Sequence, residues 1–97
     1  MSELGRLADR LQKILARAQE NRDERDELVD GPDGIECAWA AHERNQMWKA
    51  VNALRAEHGR PSVPLDDIVQ VERQAAGHSD YSRKFAFYCA ELAEKTP

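Results

Sequence analysis

Hydrophobic spacing is clearest in the last third of the chain, where four of its six aromatic residues lie within positions 81–88. At about 100° per residue, one stripe of a helix would carry Tyr81, Phe85, Tyr88, Cys89 and Leu92. The pattern predicts a helix over residues 80–94, with Ser79 as its N-cap. We expect this stripe to form the densest part of the core, against Trp48 and the first helix.

Residues 3–18 show the spacing of an amphipathic helix, with apolar residues at Leu4, Leu7, Leu11, Ile14 and Ala18. This three-four spacing is also that of a coiled-coil seam, so the face packs either inside the same chain or against a second copy. An acidic polar segment follows over residues 19–34. It is predicted to extend the first helix to about residue 28 or to form a linker.

The middle of the chain predicts two further helices. Gly31 and Pro32 break the chain, and Asp33 with Glu36 matches a capping box that would begin a helix over 33–58. A third helix over 65–76 follows a proline-containing connector. Arg44 interrupts the apolar stripe of the second helix, so we expect it to find a carboxylate or helix-end carbonyls if buried.

The predicted fold is therefore all-α: one domain over residues 1–97, with four helices at about 3–28, 33–58, 65–76 and 80–94. Its composition, 41% hydrophobic and 33% charged, is typical of a water-soluble helical protein. No apolar run approaches the roughly 18 residues that span a bilayer, and the N-terminus lacks the apolar core of a signal peptide. We expect a cytoplasmic protein without a membrane partner.

No residue pattern predicts catalysis. The candidate soft metal ligands are Cys37, His42, His58, His78 and Cys89. No pair of them has the spacing of a zinc motif, and the two cysteines are interpreted as free thiols packed as small hydrophobes. The adjacent His78, Ser79 and Asp80 would diverge at a helix start, where capping explains them better than a catalytic triad. We expect no enzyme activity, metal, cofactor or small-molecule substrate.

Two features indicate binding to another protein. Trp39 and Phe87 fall off the apolar stripes of their helices, so each is either covered by another helix or exposed to a partner. A basic stripe opposite the leucine face of the first helix consists of Arg6, Arg10, Lys13 and Arg17. It is either a solvated face or a surface for an acidic partner, including residues 20–36 of another copy.

A helix-turn-helix over residues 65–92 is the alternative function, since two helices joined by Gly77, His78 and Ser79 have about the right size. The would-be recognition helix turns its large aromatics inward and shows only Arg83 and Lys84 near its start. The net charge of −4 also disfavours polyanions. A nucleic-acid partner is therefore the less favoured prediction.

The segment from Gly77 to Leu92, GHSDYSRKFAFYCAEL, resembles the C-terminal part of small uncharacterised helical proteins of actinobacteria and their phages. The resemblance covers only those residues and implies neither an activity nor any functional residue. It implies at most a phage accessory or host-interaction protein. The sequence as a whole predicts a non-catalytic protein–protein interaction module, an adaptor or inhibitor, that could act as a homodimer.

Overall fold

The computed structural model describes residues 2–96 as four α-helices and one β-hairpin. In chain order the elements are α1 (Glu3–Gln19), a short 3-10 helix (Arg22–Arg25), β1 (Leu28–Gly31), β2 (Gly34–Cys37), α2 (Ala38–Glu57), α3 (Leu65–Ala75) and α4 (Tyr81–Glu94). The fold is largely helical, as predicted. The all-α prediction is wrong for residues 28–37, which form a two-stranded antiparallel sheet.

Helix α1 begins as its sequence predicts, because the Ser2 hydroxyl accepts a hydrogen bond from the Gly5 amide at 3.0 Å. It ends at Gln19, so the predicted extension to residue 28 is wrong. The next residues contain no apolar side chain that could continue the buried face, and packing of that face supplies most of the stability of a protein helix. Asn21 then turns the chain in the left-handed region, at φ 63°.

The hairpin replaces the predicted start of the second helix. Gly31 pairs with Gly34, which leaves Pro32 and Asp33 as the two residues of the turn. Proline favours the first central position of a turn because its ring fixes φ, and Gly34 supplies the positive φ of 120° that follows. The Asp33–Glu36 capping box is therefore not formed, and α2 begins at Ala38.

The core lies where α1, α2, α3 and α4 meet. Helix α4 packs chiefly against α1 and also contacts α2 and α3. The largest fully buried side chains are Phe85, Leu11, Leu15, Met47, Ile68, Val51 and Cys89. Tyr81, Tyr88, Leu92 and Trp48 pack around this cluster and are partly buried. The predicted core position of the aromatic stripe is confirmed for Phe85 and Cys89, whereas Tyr81, Tyr88 and Leu92 lie at the edge of the core.

The end of α2 lies where the sequence predicts it, whereas the start of α4 is shifted by one residue. Helix α2 ends at Glu57, ahead of Gly59 at φ 68°, as the Gly59 and Pro61 stop predicts. Helix α4 begins at Tyr81 with Asp80 in the cap position and no side-chain capping bond. The prediction of Ser79 as its N-cap is therefore wrong by one residue.

The connector between α2 and α3 is fixed by side chains of α2. The Trp48 indole nitrogen donates to the Val63 carbonyl at 2.8 Å, and the Val63 amide donates to the Asn52 side chain at 2.8 Å. The buried Arg55 donates to the carbonyls of Pro61, Leu92 and Lys95. Its positive charge thus caps the C-terminus of α4, where the helix dipole favours a cation. No helix within residues 2–96 is both long and apolar enough to cross a membrane.

The buried aromatic stripe leads to a test of the core. Phe85 is 0% exposed, so Phe85→Ala should lower the free energy of unfolding by about 3–5 kcal/mol, the usual cost of emptying a large aromatic site. Phe87→Ala, two residues away on the surface, should cost less than about 1 kcal/mol. Urea unfolding followed by circular dichroism measures both. Equal costs for the two variants would contradict the packing of α4.

Candidate interaction surface

A buried guanidinium joins the hairpin to the helices. Arg44 on α2 donates to Glu36 of β2 through Nη1 and Nη2, at 2.8 and 2.6 Å, and through Nε to Glu72 of α3 at 2.8 Å. Its side chain is 7% exposed. Hydrogen bonding to Glu36 raises the pKa of the Arg44 guanidinium further above its already high value, so the charge is permanent. The expectation that Arg44 finds a carboxylate is confirmed.

Further contacts fix both ends of the hairpin. At its base the Ala38 amide donates to the Glu27 carbonyl at 2.8 Å. At its turn Arg73 of α3 pairs with Asp33. A Cβ atom at position 31 would lie 2.5 Å from the Glu36 carboxyl carbon. Glycine at this position therefore leaves room for the Glu36 side chain to reach Arg44. The hairpin is thus attached to α2 and α3 by charge-assisted contacts.

Trp39, a predicted partner-binding residue, lies beneath a guanidinium. The Arg22 side chain is held by two 2.7 Å hydrogen bonds to Glu43, which is almost fully buried. The same guanidinium carbon lies 4.1 Å from the centre of the Trp39 ring. This cation–π contact leaves Trp39 half-buried and covered within its own chain. Sequence reasoning placed Arg22 in a solvated segment and missed this role.

The outer face of the hairpin carries the most exposed apolar side chains. Among the described residues, Leu28 is 70% and Ile35 is 73% exposed, more than any other large hydrophobic residue. The register places Leu28, Asp30, Ile35 and Cys37 on one face, while Val29 and Glu36 lie on the face towards the helices. Leu28 lies opposite Cys37 and Ile35 opposite Asp30, so Leu28 and Ile35 are diagonal neighbours on this face. We call the Leu28 and Ile35 side chains the apolar pair.

The sequence contained a signal for this surface. A Pro-Asp-Gly turn between two short apolar runs is a typical hairpin pattern, and Val29 and Ile35 favour extended backbone. The same residues also match the capping box of Asp33 and Glu36, on which the helix prediction for this segment rests. The prediction therefore missed the apolar pair entirely.

Phe87, the other predicted aromatic, lies on the surface of α4 at 36% exposure. Its ring meets Tyr88 edge to face, with the centroids 6.0 Å apart. The other exposed side chains on this face are Arg83 and Glu91. Phe87 is thus a single exposed aromatic on a face of mixed charge, away from the hairpin in sequence.

The basic stripe divides into two halves. Arg6 pairs with Glu3 and Arg10 with Glu57, both at 3.4 Å on the surface. Lys13 and Arg17 form no salt bridge with any residue of the described range 2–96. Exposed pairs of this kind contribute little stability, but the two carboxylates reduce the positive potential around Arg6 and Arg10.

Arg17, in the unpaired half, lines a groove between α1 and α2. We call it the basic groove: its volume is about 640 Å³, and its lining includes Ile14, Arg17, Ala18, Arg25, His42, Lys49 and Ala50. Arg17, Arg25 and Lys49 have no carboxylate partner within the part of the chain that the structure describes. Sequence analysis predicted Arg17 as a binding residue but did not connect it with Arg25 or Lys49.

The helices of the proposed helix-turn-helix, α3 and α4, pack on one another. Helix α4 buries Phe85, Ala86 and Cys89 towards the rest of the fold. Its exposed positions, Arg83, Phe87 and Glu91, combine one cation, one aromatic and one acid. This face has little of the positive charge that phosphate contacts require.

Burial lowers the reactivity of two side chains, Cys89 and Tyr81. Among residues 2–96, no group of three or more His, Cys, Asp or Glu side chains could hold a metal ion. Both cysteines are free, and burial raises the pKa of the Cys89 thiol well above its usual value. Burial likewise raises the pKa of Tyr81, which stays neutral near pH 7.

No protein-family model, curated protein or solved structure matches this chain. The resemblance of residues 77–92 to small actinobacterial and phage proteins therefore stays a prediction, and the surfaces described above carry the functional argument.

Replacing Arg44 tests whether it holds the hairpin. Arg44→Met should lower the free energy of unfolding by about 2–3 kcal/mol, because two carboxylates lose their shared cation. This lies below the roughly 3–5 kcal/mol for breaking a fully buried pair, since Glu36 and Glu72 keep 18% and 19% exposure and can be partly rehydrated. Thermal and urea unfolding measure the change.

Two variants complete that experiment. Arg6→Met removes an arginine from an exposed pair and should change stability by less than about 0.5 kcal/mol. Adding Glu72→Gln to Arg44→Met should recover at least about 1 kcal/mol, because one uncompensated charge is removed. An Arg44→Met variant as stable as the wild type would refute the role of this guanidinium.

Proposed function

We propose that the protein is a non-catalytic protein–protein interaction module that binds its partner with the outer face of the hairpin. The observation that carries this proposal is the apolar pair, Leu28 and Ile35, at 70% and 73% exposure. Large apolar side chains so exposed, on the same face of one hairpin, are typical of surfaces that another protein covers.

The attachment of the hairpin supports this function energetically. An isolated two-stranded hairpin is marginally stable in water, and ordering one upon binding would weaken the complex. Here Arg44 holds β2 against α2 and α3 before any partner arrives, and the exposed Arg73–Asp33 pair adds a weaker contact at the turn. The apolar pair is thus presented in a fixed geometry, which lowers the entropic cost of association.

The other predicted surfaces take lesser roles in the proposal. Trp39 stabilises the 3-10 helix through Arg22 and is not offered as a contact. Phe87 is a possible second contact for a large partner, on a different element. Of the basic stripe, only the unpaired half, Lys13 and Arg17, would steer an acidic partner by charge. Arg6 and Arg10 are already paired with Glu3 and Glu57 and are not offered as contacts.

A capture experiment compares matched surface variants. Leu28→Ser with Ile35→Ser should leave the helical circular dichroism signal unchanged, since neither side chain is buried, and should reduce partner capture from host lysate at least tenfold. Phe87→Ser removes an exposed aromatic elsewhere and should reduce capture less. Mass spectrometry of the bound fraction measures the difference. Equal capture by the wild type and the hairpin variant would refute the proposed surface.

The helix-turn-helix alternative has its own readout. A protein that neutralises phosphates releases counterions, so its affinity for DNA falls steeply with salt. We expect no mobility shift of a generic duplex even at low salt, because α4 exposes a face of mixed charge. A sub-micromolar, salt-sensitive complex would reverse the ranking of the two functions.

A further inference from the structure

We propose that the hairpin binds a second copy of this chain, with the apolar pair of one copy lying in the basic groove between α1 and α2 of the other. This inference rests on the proposed function and specifies its partner.

The surroundings of the apolar pair are acidic. Asp26 and Glu27 precede Leu28, and Asp30 lies opposite Ile35 on the same face. None of these three carboxylates forms a salt bridge to any residue of the range 2–96. Two hairpins of this kind would repel each other, so pairing of hairpin against hairpin is disfavoured. A surface that complements the hairpin therefore has apolar side chains at its centre and cations around them.

The chain carries such a surface itself. Ile14, Ala18 and Ala50 supply apolar atoms to the basic groove, and Arg17, Arg25 and Lys49 supply three cations. None of these three cations has a carboxylate partner among the described residues. The groove therefore combines an apolar surface with positive charge, and Glu20 is its one acidic lining residue.

Within one molecule the apolar pair cannot reach the basic groove. The hairpin lies against the side of α2 that carries Ala40 and Arg44, whereas the groove is lined by His42, Gln46 and Lys49. Positions two apart on a helix differ by about 200°, so the two surfaces lie on nearly opposite sides of α2. The contact must be made between copies.

This geometry sets the form of the assembly. The contact joins two different surfaces, so it forms a reciprocal two-fold dimer, closes into a larger ring or continues as a chain, according to the rotation between copies. A copy with a damaged groove still offers a hairpin, and a copy with a damaged hairpin still offers a groove. Mixing the two should give a complex that stops at one copy of each.

The experiment uses three double variants of the full chain and sedimentation velocity. The groove variant is Arg17→Glu with Lys49→Glu, and the hairpin variant is Leu28→Ser with Ile35→Ser. Arg6→Glu with Arg10→Glu is the control, because it also takes the net charge from −4 to −8 but changes the paired half of the basic stripe. Circular dichroism verifies that each variant is folded.

We expect the wild type and the control to exceed the monomer mass of 11.0 kDa as concentration rises, with association weakened by salt. The groove and hairpin variants should each associate at least tenfold more weakly. Their equimolar mixture should form a species of twice the monomer mass. This complementation requires two different surfaces on two copies.

Three results would overturn the inference: a wild type that stays monomeric up to about 1 mM, a groove variant that associates like the wild type, or a mixture that stays monomeric. The proposed function fails separately. A monomeric wild type whose hairpin variant still loses a captured partner would leave the hairpin as a binding surface for another protein. If the hairpin substitutions alter neither self-association nor capture, both proposals are wrong.

Discussion

The position of the hairpin depends on one buried charge. A guanidinium removed from water is costly unless carboxylates surround it, and Arg44 has Glu36 on one side and Glu72 on the other. Those carboxylates belong to β2 and α3, so satisfying the charge on α2 also fixes how both elements lie against it. Glu36 in turn fits only because Gly31 leaves space across the strands. The proposed binding surface thus depends on a contact within the fold.

Helix α2 carries all three buried charged residues of the described chain, Glu43, Arg44 and Arg55. Each connects α2 to a different part of the molecule: Glu43 to the 3-10 helix, Arg44 to the hairpin and α3, and Arg55 to the end of α4. No buried side-chain nitrogen or oxygen lacks a hydrogen-bond partner within residues 2–96. This is why the fold tolerates the charges, and why removing one partner is costly.

The sequence predicted the helices better than the segment between the first two. In α1 and α4 the buried apolar residues, such as Leu11 and Phe85, recur with the period of a helix, so this periodicity predicted the core. Asp33 and Glu36 were ambiguous, because they suit both a helix cap and a hairpin. Tertiary contacts select the hairpin, chiefly the pairing of Arg44 with both Glu36 and Glu72, which a local sequence pattern does not show. The apolar pair and the covering of Trp39 by Arg22 were missed for the same reason, since tertiary contacts decide them.

The most direct test of this account measures the mobility of the hairpin. Backbone amide order parameters of residues 28–37 should be close to the roughly 0.85 of a rigid backbone in the wild type. In Arg44→Met they should fall towards the roughly 0.6 that marks flexible segments, while those of α1 and α4 stay high. A hairpin that is mobile in the wild type, or equally rigid without Arg44, would contradict the claim that this guanidinium holds the binding surface in place.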